Sequence, residues 1–372
     1  MIRKFLVAVI GMASFVPAFS QSTSDVKADT TASTTETKPA PEEVKPTTTI
    51  NGGIDFYWRY DFAKNKANNL TSFTNSHNTF ELGMATVKLE HKTAKFDIVV
   101  DLGFGKRAQE FSYTDEGILA AIKQAYVSYS PNSWLKLTAG SWATHVGYEV
   151  LDAQLNRNYS MSYMFTNGPF SHTGVKADIT SGKSGFMVGI ANPTDYKYVP
   201  AGYINKKAII AQYSYAASDN FKLYLNYVGA EALDSSKSNQ LDLVLLTKVS
   251  SQFGIGFNGT YNSTKLRQDG KYLSAKPWWG SAVYLNLDPT SWFGLTLRGE
   301  YFSDKNQLKV YAAQPFGGSV FATTLSANFK VEGFTFIPEF RLDNASKDIF
   351  FKSDGSATKS AGSFLLAVMY WF

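Results

Sequence analysis

The sequence predicts an all-β fold: a transmembrane antiparallel up-and-down β-barrel, most simply of 16 strands. Three observations predict it: apolar and polar residues alternate within strand-length segments, short and long connections alternate along the chain, and the chain ends on an alternating segment. That last segment, SFLLAVMYWF, places Phe364, Leu366, Val368, Tyr370 and Phe372 at every second position. It is too short for a membrane helix, which needs roughly 20 apolar residues, but it has the length of about 9 to 11 residues that a tilted membrane strand uses.

The composition agrees with finely interleaved apolar and polar residues. Aromatic residues make up 15% of the 372 residues, and charged residues make up only 18%, below the usual level of about 25%. The mean hydropathy is nevertheless −0.18, and no apolar run after the first twenty residues approaches the length of a membrane helix. The composition therefore excludes a helical membrane protein.

The N-terminus has the order of a secretory signal. Arg3 and Lys4 precede an apolar stretch from Phe5 to Val16, and small residues follow up to Ser20, which predicts a signal peptide over residues 1–20. The alternative, an anchoring helix, would have an apolar core too short to span a bilayer. The chain contains no cysteine, so it has neither a disulfide framework nor a cysteine for a lipid anchor.

Residues 21–49 predict a disordered, exported tether in the periplasm, since this Thr-, Ser-, Pro- and Glu-rich segment has no aromatic residue and almost no large aliphatic one. Such a composition cannot bury enough apolar surface to offset the entropy of ordering. Signal cleavage removes two of the 36 basic residues and none of the 31 acidic ones, which leaves a net charge of about +3. This balance does not favour a nucleic-acid partner.

From Ile50 to Phe372 the sequence predicts the barrel. The segment KFDIVVDLGF places Phe96, Ile98, Val100, Leu102 and Phe104 on one face and Asp97, Val99, Asp101 and Gly103 on the other, as expected for a strand with a different solvent on each side. The second strand alternates weakly, and Pro338 lies on the apolar face of the fifteenth strand, where proline removes a ladder donor, so either a bulge or an error in the predicted register is expected there.

Short Pro-, Gly-, Ser- and Asn-rich connections alternate with longer polar ones along the whole chain. Seven short turns and eight long loops imply 16 strands, with 14 to 18 as the range that the weaker segments allow. The long loops are expected at about residues 63–79, 105–121, 143–171, 192–207, 230–239, 262–277, 303–318 and 344–360. A soluble β-sandwich or propeller is the alternative, but neither needs long strands with lone charges on one face and all long loops on one rim.

Residues 122–179 resemble a known family. A QAYVSY strand at Gln124–Tyr129 leads through Thr138–Glu149 to an NYS triplet at Asn158–Ser160 and an HTGV strand at His172–Val175. These elements are similar to the OmpL-like family of outer-membrane β-barrel porins, the second group of putative porins. The resemblance implies the outer membrane of a Gram-negative bacterium, and Phe372 resembles the terminal aromatic by which the barrel assembly machinery recognises its substrates.

General porins fold their third long loop into the lumen, which implies the same for residues 143–171 here. By that resemblance, the candidate residues for a pore constriction are Glu149, Asp152, Arg157, Asn158 and Tyr159. The composition of this loop supports inward packing, since its many Tyr, Met and Leu residues are too apolar to lie free in water. A cap on the outside of the barrel, or a contact with a neighbouring subunit, is the alternative.

Inward-facing strand positions carry charges of both signs, which argues against strong ion selectivity, since selectivity needs a local cluster of one sign. The predicted wall residues are Arg59, Asp97, Asp101, Lys136, Lys176, Lys222, Asp242, Lys248, Arg298, Glu300, Glu339 and Arg341. For any one of them, a salt bridge within the wall is expected before a contact with solute.

Enzyme signatures are missing from the sequence. None of the four histidines stands at metal-ligand spacing with another, and cysteine is absent; His145 and His172 flank the long loop and are expected to be structural. No catalytic residue, metal or cofactor is therefore predicted.

Together these observations predict a porin through which small hydrophilic solutes diffuse, with outer-membrane lipid as its surroundings and, by analogy with general porins, a homotrimer as its assembly. The alternative is a surface interaction protein whose barrel serves as an anchor with a closed lumen.

Overall fold

The computed structural model describes residues 45–372 and confirms the predicted fold class, because sixteen antiparallel strands close into one barrel. We number these strands β1 to β16 in chain order. They are Thr47–Asp61, Thr79–Lys92, Phe96–Phe104, Ile122–Asn132, Leu135–Ala143, Ser171–Ser181, Ser184–Ala191, Ala208–Ser218, Phe221–Glu231, Lys237–Lys248, Phe253–Lys265, Lys276–Leu287, Phe293–Asp304, Gly318–Val331, Phe334–Ala345 and Ser360–Trp371. β1 begins slightly before the predicted start at Ile50, and the predicted signal peptide and most of the predicted tether lie outside the described residues.

Short turns and longer loops alternate between the strands. The long connections, here named L1 to L8, are residues 62–78, 105–121, 144–170, 192–207, 232–236, 266–275, 305–317 and 346–359. L5 departs from the prediction, because its strands extend into the expected loop and leave only residues 232–236, no more than the turn at 288–292. The seven turns lie at one rim of the barrel, the short-turn rim, and L1 to L8 lie at the other, the long-loop rim.

The barrel is closed by the pairing of β1 with β16, from Gly53 opposite Trp371 to Asp61 opposite Ser363. Beyond this ladder, Phe372 exchanges backbone hydrogen bonds with Gly52, at 3.0 and 3.2 Å. Closure matters in hydrocarbon, where an open strand edge would leave its N–H and C=O groups without partners.

The two faces of each strand have different environments. On β3 the side chains of Phe96, Ile98 and Val100 are 39 to 47% exposed on the outer surface, whereas Asp101, the next residue in the pleat, is wholly buried inside. An outward apolar band over inward polar residues is the pattern of a membrane barrel. The predicted alternation of faces is therefore confirmed for this strand.

A bulge explains why the second strand alternates weakly in sequence. The register between β1 and β2 shifts at Asp55, which pairs with Met84, whereas its neighbour Phe56 pairs with Leu82. Gly83 is the extra residue, so on β2 the strict alternation of inward-facing and outward-facing side chains is interrupted there. A Cβ on Gly83 would overlap the carboxylate of Asp55, so only glycine fits this position without rearrangement.

The prediction of a bulge at Pro338 is wrong, because the strands keep one register there. The pairs Ser326 with Glu339 and Phe329 with Phe336 keep one register on either side of the proline, and the ladder to β16 runs through Pro338 opposite Leu366. Only the pairs of Ile337 and Pro338 are missing from the β14–β15 ladder. The proline therefore removes hydrogen bonds locally without shifting the strands.

The loops carry the remaining regular structure. L2 contains the helix α1 (Lys106–Phe111), and L3 contains the helix α2 (Tyr163–Asn167). Single 3₁₀ turns occur at Lys66–Asn68, Gly117–Ala121, Ala153–Leu155 and Ala201–Tyr203, and small hairpins form in L6 and L8. No helix within residues 45–372 is long and apolar enough to cross a membrane.

Candidate functional site: loop L3 against the inner wall

L3 contacts inward-facing side chains around much of the barrel. Near its start the N–H of Gly147 donates to Asp242 on β10 at 3.0 Å, and the N–H of Tyr148 donates to Asn258 on β11 at 3.4 Å. Further along, the N–H groups of Tyr163 and Met164 donate to Glu300 on β13, both at 3.0 Å. The loop is therefore bound to the inner wall by carboxylates and amides that would otherwise face the lumen.

Glu149 and Asp152 bind bases on well-separated parts of the wall. Glu149 forms an ion pair with Arg298 on β13, and the two side chains are 4% and 1% exposed. Asp152 lies 2.5 Å from the ammonium group of Lys123 on β4, which also binds Asp101 at 3.0 Å. Because β4 and β13 lie on nearly opposite sides of a ring of 16 strands, residues 149–152 and their partners connect two walls.

The other three candidate residues are bound as well. Arg157 forms a bidentate pair with Asp288 in a short turn, at 2.6 and 2.8 Å. Asn158 donates to the hydroxyl of Ser326 at 2.6 Å. Tyr159 donates its N–H to Glu339 at 2.8 Å and its hydroxyl proton to Asp55. Burial and the neighbouring Asp55 carboxylate both raise the pKa of the Tyr159 hydroxyl well above its usual value, so it stays a donor.

Apolar side chains of L3 complete its attachment. One buried cluster joins Tyr159 and Ala153 to Tyr57, Ile337 and Leu365 of the wall. A second cluster joins residues of L3 to L1 and L2, and its members are Phe73, Met84, Ala108, Phe111, Leu151, Met161, Phe165 and Phe170. The apolar composition of L3, noted in the sequence, is therefore used in packing against the wall and against its neighbouring loops.

Most of the predicted wall residues lie under the loops. Seven are buried: Arg59, Asp101, Asp242, Arg298, Glu300, Glu339 and Arg341. The wall salt bridges expected from sequence occur at Arg59 with Asp61 and at Arg341 with Asp343, at 3.2 and 2.9 Å. These groups hold the loops in place and do not face open solvent.

Another group of charged side chains lies nearer the short-turn rim and is more exposed. It consists of three pairs: Lys88 with Glu90, Lys136 with Asp97, and Lys176 with Asp178, at 3.0, 2.8 and 3.2 Å. The six side chains are 14 to 33% exposed. Of the remaining predicted wall residues, Lys222 is half-buried and Lys248 is exposed at the strand end. This half of the lumen is accessible and carries both signs of charge.

The two histidines that flank L3 lie side by side, with ring centroids 5.2 Å apart. Nε2 of His145 lies 3.2 Å from the carbonyl oxygen of Tyr227, and Nε2 of His172 lies 3.2 Å from the hydroxyl of Thr144. Burial lowers the pKa of His145 to about 4. A neutral histidine packed between L3 and the wall suits the structural role expected from the sequence.

Sequence reasoning missed several residues that hold the site together. Arg107 in L2, Lys123 on β4 and Asp288 in a turn each bind L3, and nothing in their local sequence marks them as partners of a loop many residues away. Asp195 in L4 accepts hydrogen bonds from the N–H groups of Phe170 and Ser171, at 2.7 and 2.9 Å, and from the hydroxyl of Tyr113. Its φ of 70° is a backbone state that Asp tolerates better than most residues.

No group of three or more metal-binding side chains is arranged to hold a metal ion in the part of the chain that the structure describes. The lumen instead offers hydrogen-bonding groups, charges of both signs and a loop that spans part of its cross-section.

Several solved structures have a similar barrel fold. The outer membrane channel DcaP of Acinetobacter baumannii is 12% identical, with a TM-score of 0.61, over 90% of this chain and 100% of that one. The anion-selective porin from Comamonas acidovorans is 10% identical, with a TM-score of 0.58, over 88% and 100%. OmpT of Vibrio cholerae is 9% identical, with a TM-score of 0.57, over 88% and 98%. At these identities the likeness shows the fold alone.

No curated protein matches the sequence significantly. The model of one protein family matches residues 47–372, the whole barrel, and it is described as putative beta-barrel porin-2, OmpL-like. This match confirms the resemblance carried by residues 122–179. The chain therefore belongs to the OmpL-like, putative beta-barrel porin-2 family, and it is a bacterial outer-membrane porin and not an enzyme.

Proposed function

We propose that small hydrophilic solutes diffuse through the lumen of this barrel and that L3 forms its narrowest part. The observation that carries the proposal is the pair of anchors at Glu149 with Arg298 and Asp152 with Lys123. They hold one short stretch of chain between nearly opposite walls. A 16-strand barrel is otherwise wide enough for an aqueous channel, so this stretch would reduce the passage to the size of small solutes.

The charges support a weakly selective passage. The partly exposed pairs Lys88 with Glu90, Lys136 with Asp97, and Lys176 with Asp178 present neighbouring opposite charges. Selectivity needs a ring or cluster of one sign. The Comamonas relative is described as anion-selective, but paired charges on this wall favour no strong preference, and neutral polar solutes are the class that we expect.

Conductance across a planar bilayer tests the proposal. The refolded mature protein should give discrete open steps, and deletion of residues 150–164 should enlarge them because it removes the Asp152 anchor and most of the part of L3 that lies against the wall. Removal of residues 353–355 from the exposed tip of L8 is the matched control and should leave the step size unchanged. A deletion variant that folds and conducts like the wild type would contradict the constriction by L3.

A closed barrel that anchors surface loops is the second candidate. It is favoured by the buried cluster that packs Phe73 of L1 and Phe111 of L2 onto Phe165 and Phe170 of L3, because tight packing of three loops reduces the open cross-section. This candidate expects a folded barrel that inserts without conducting. Loop exchange with loss of partner binding would then support it.

Two proposals concern assembly. We propose that Phe372, which is 69% exposed on the outer surface, is the aromatic that the barrel assembly machinery recognises. A homotrimer, as in general porins, is an associational expectation, and the native mass in detergent decides it.

A further inference from the structure

L2 also reaches the inside of the barrel, through its short helix α1. The helix contacts β2 and β3, and its residues Arg107, Ala108 and Phe111 are buried, with Arg107 wholly so. The preceding residue, Lys106, is exposed. Arg107 is therefore buried inside the barrel, although the neighbouring cation Lys106 faces solvent. This is unusual, because an arginine is almost never fully buried unless it is paired.

Arg107 is compensated by groups of L3, L1 and β1. Its two terminal nitrogens donate to the carbonyl oxygens of Leu151 and Tyr159, at 3.4 and 3.5 Å. The guanidinium carbon lies 4.6 Å from the ring centroid of Tyr159 and 5.0 Å from that of Phe73. Nε lies 3.9 Å from Oδ1 of Asp55. A planar cation that stacks on rings and donates sideways suits this position better than an ammonium would.

The two carbonyl groups stand at the two ends of the stretch 151–159, which carries four of the five constriction candidates, all but Glu149. Leu151 precedes Asp152, and Tyr159 follows Arg157 and Asn158. Tyr159 is also bound through its hydroxyl to Asp55, which Arg107 neutralises in part. One side chain from L2 therefore holds both ends of residues 151–159 and the β1 carboxylate on which they rest.

Helix α1 is itself fixed from the other side. Glu110 accepts the N–H of Phe73 at 2.7 Å and a hydrogen bond from the amide of Asn75 at 3.2 Å. Ala108 and Phe111 belong to the same buried cluster as Leu151 and Met161. Arg107 therefore projects from a helix that L1 and the cluster hold in place, which is what a positioning residue requires.

We infer that Arg107 is a positioning residue for residues 151–159, so that L2 and L3 together set the width of the passage. The control of the width of the passage rests on the proposed function, but the attachment of L3 to L2 can be tested without a conductance measurement. Loss of Arg107 would leave Asp55 buried without a neighbouring cation and would release both carbonyl groups. The stretch 151–159 would then leave the wall for part of the time.

A thiol probe measures that release. The chain has no cysteine, and Ser160 is 4% exposed with a hydroxyl that finds no hydrogen-bond partner among the described residues. Ser160→Cys is therefore an almost isosteric reporter, and it removes no hydrogen bond of the serine hydroxyl to another described residue. The rate at which its thiol reacts with a water-soluble maleimide is measured in the folded barrel, with Arg107 intact, in Arg107→Ala and in Arg107→Lys. Lys106→Ala, which removes the exposed cation next to it on the same helix, is the matched control.

Arg107→Ala should raise the modification rate of the introduced thiol at least tenfold, and Lys106→Ala should leave it unchanged. Arg107→Lys should fall between them, because lysine restores charge without the planar donors. If the alanine variant does not fold, Arg107→Gln replaces it, since glutamine keeps much of the volume and a donor. Equal modification rates in Arg107→Ala and Lys106→Ala would overturn the inference.

Conductance separates this inference from the proposed function. If the wild type conducts, Arg107→Ala should give larger or noisier open steps than Lys106→Ala, and steps of equal size would overturn the joint control of the passage by L2 and L3. If the wild type is silent, the proposed function fails. The modification rates of the Ser160→Cys thiol then decide alone whether Arg107 positions L3.

Discussion

Arg298 on β13 and Glu149 in L3 form an ion pair that is almost wholly buried inside the barrel. Arg298 also donates to the carbonyl oxygen of Ser160 at 2.8 Å and to the hydroxyl of Thr324 at 3.0 Å. Glu149 accepts the N–H of Ser162 at 2.7 Å. One buried pair therefore binds the part of L3 around Glu149 to the part at Ser160 and Ser162, and binds both parts to the wall.

Glu149→Gln should weaken the attachment of L3, because it leaves the charge of Arg298 buried without its partner. Loss of one member of a buried pair costs about 3 to 5 kcal/mol. We expect a lower midpoint of urea-induced unfolding and a larger, noisier single-channel current. Glu332→Gln, in an exposed short turn, is the control and should change neither quantity.

The double variant Glu149→Gln with Arg298→Met should regain part of the lost stability, since it removes the unpaired charge as well. If the single variant unfolds at the wild-type urea concentration, or if the double variant is no better than the single one, the pair does not anchor L3 as argued.

The fold was predictable because each strand of a membrane barrel must alternate outward apolar residues with inward polar ones. Phe96, Ile98 and Val100 must face lipid while Asp101 faces inward, and that local requirement can be seen without a structure. The bulge at Gly83 could not be located, because it depends on how β2 meets Asp55 of another strand. The short L5 was missed since polar residues at a strand end resemble a loop in sequence.

The candidate site was predictable only in part. L3 stood out by its length and apolar content, and Glu149, Asp152 and Tyr159 all bind the wall. Their partners could not be assigned from the sequence, since Glu149 and Arg298 are 149 residues apart in the chain. Which side chains meet inside the barrel depends on the strand order and on the height of each side chain along the barrel axis. Arg107 was missed because one arginine in a loop is ordinarily solvated, and only the packed structure shows that this one is not.

Asp152→Asn should shift the ion preference of the channel toward anions. The carboxylate of Asp152 is 19% exposed, so its charge would act on ions that pass it under the proposed function, and its loss leaves Lys123 still bound to Asp101. A unit charge at about 4 Å is worth about 1 kcal/mol in a water-like medium, which sets a change of about fivefold as the upper limit of the effect on the permeability ratio. The reversal potential under a potassium chloride gradient measures it.

Asp354→Asn, on an exposed loop tip, is the control for the removal of a negative charge. The shift caused by Asp152→Asn should shrink as ionic strength rises, because salt screens exposed charges. A reversal potential that is the same in both variants would show that ions do not pass near Asp152.

Acid should loosen the start of L3 through His145. Burial is the main reason why the pKa of this histidine is lowered to about 4; hydrogen bonds to the backbone raise it, and the positive charge of Lys176 adds to the lowering. Above about pH 6.5 the ring is neutral both in the packed and in the released loop, so no stability depends on it. As the pH falls from about 6.5 toward 4, only the released loop gains the proton, and the packed loop is destabilised by up to about 3 kcal/mol.

Current noise recorded between neutral pH and about pH 4 tests this expectation. The wild type should become noisier over that range, and His145→Gln should lose the pH-dependent component because glutamine cannot titrate. His91→Gln, near the short-turn rim and away from L3, should behave like the wild type. A wild type whose noise is constant with pH would show that protonation of His145 does not release the loop.

Phe372 contributes a backbone and a ring, and two variants separate them. The backbone exchanges hydrogen bonds with Gly52, whereas the ring lies exposed on the outer surface. Deletion of Phe372 removes both, and we expect a lower folded fraction in refolding in detergent as well as in cells. Phe372→Ala keeps the hydrogen bonds, so it should refold normally in detergent but reach the membrane in a smaller amount if the ring is the recognised feature.

Phe334→Ala is the matched control for the loss of the terminal ring, since Phe334 is another outward aromatic at the same rim and is 42% exposed. Heat-modifiable mobility in gels measures the folded fraction of each variant. Equal amounts of folded Phe372→Ala and Phe334→Ala in cells would contradict the recognition of the terminal ring. A deletion that refolds normally would show that the hydrogen bonds to Gly52 are dispensable for closure, because the β1–β16 ladder would then close the barrel without them.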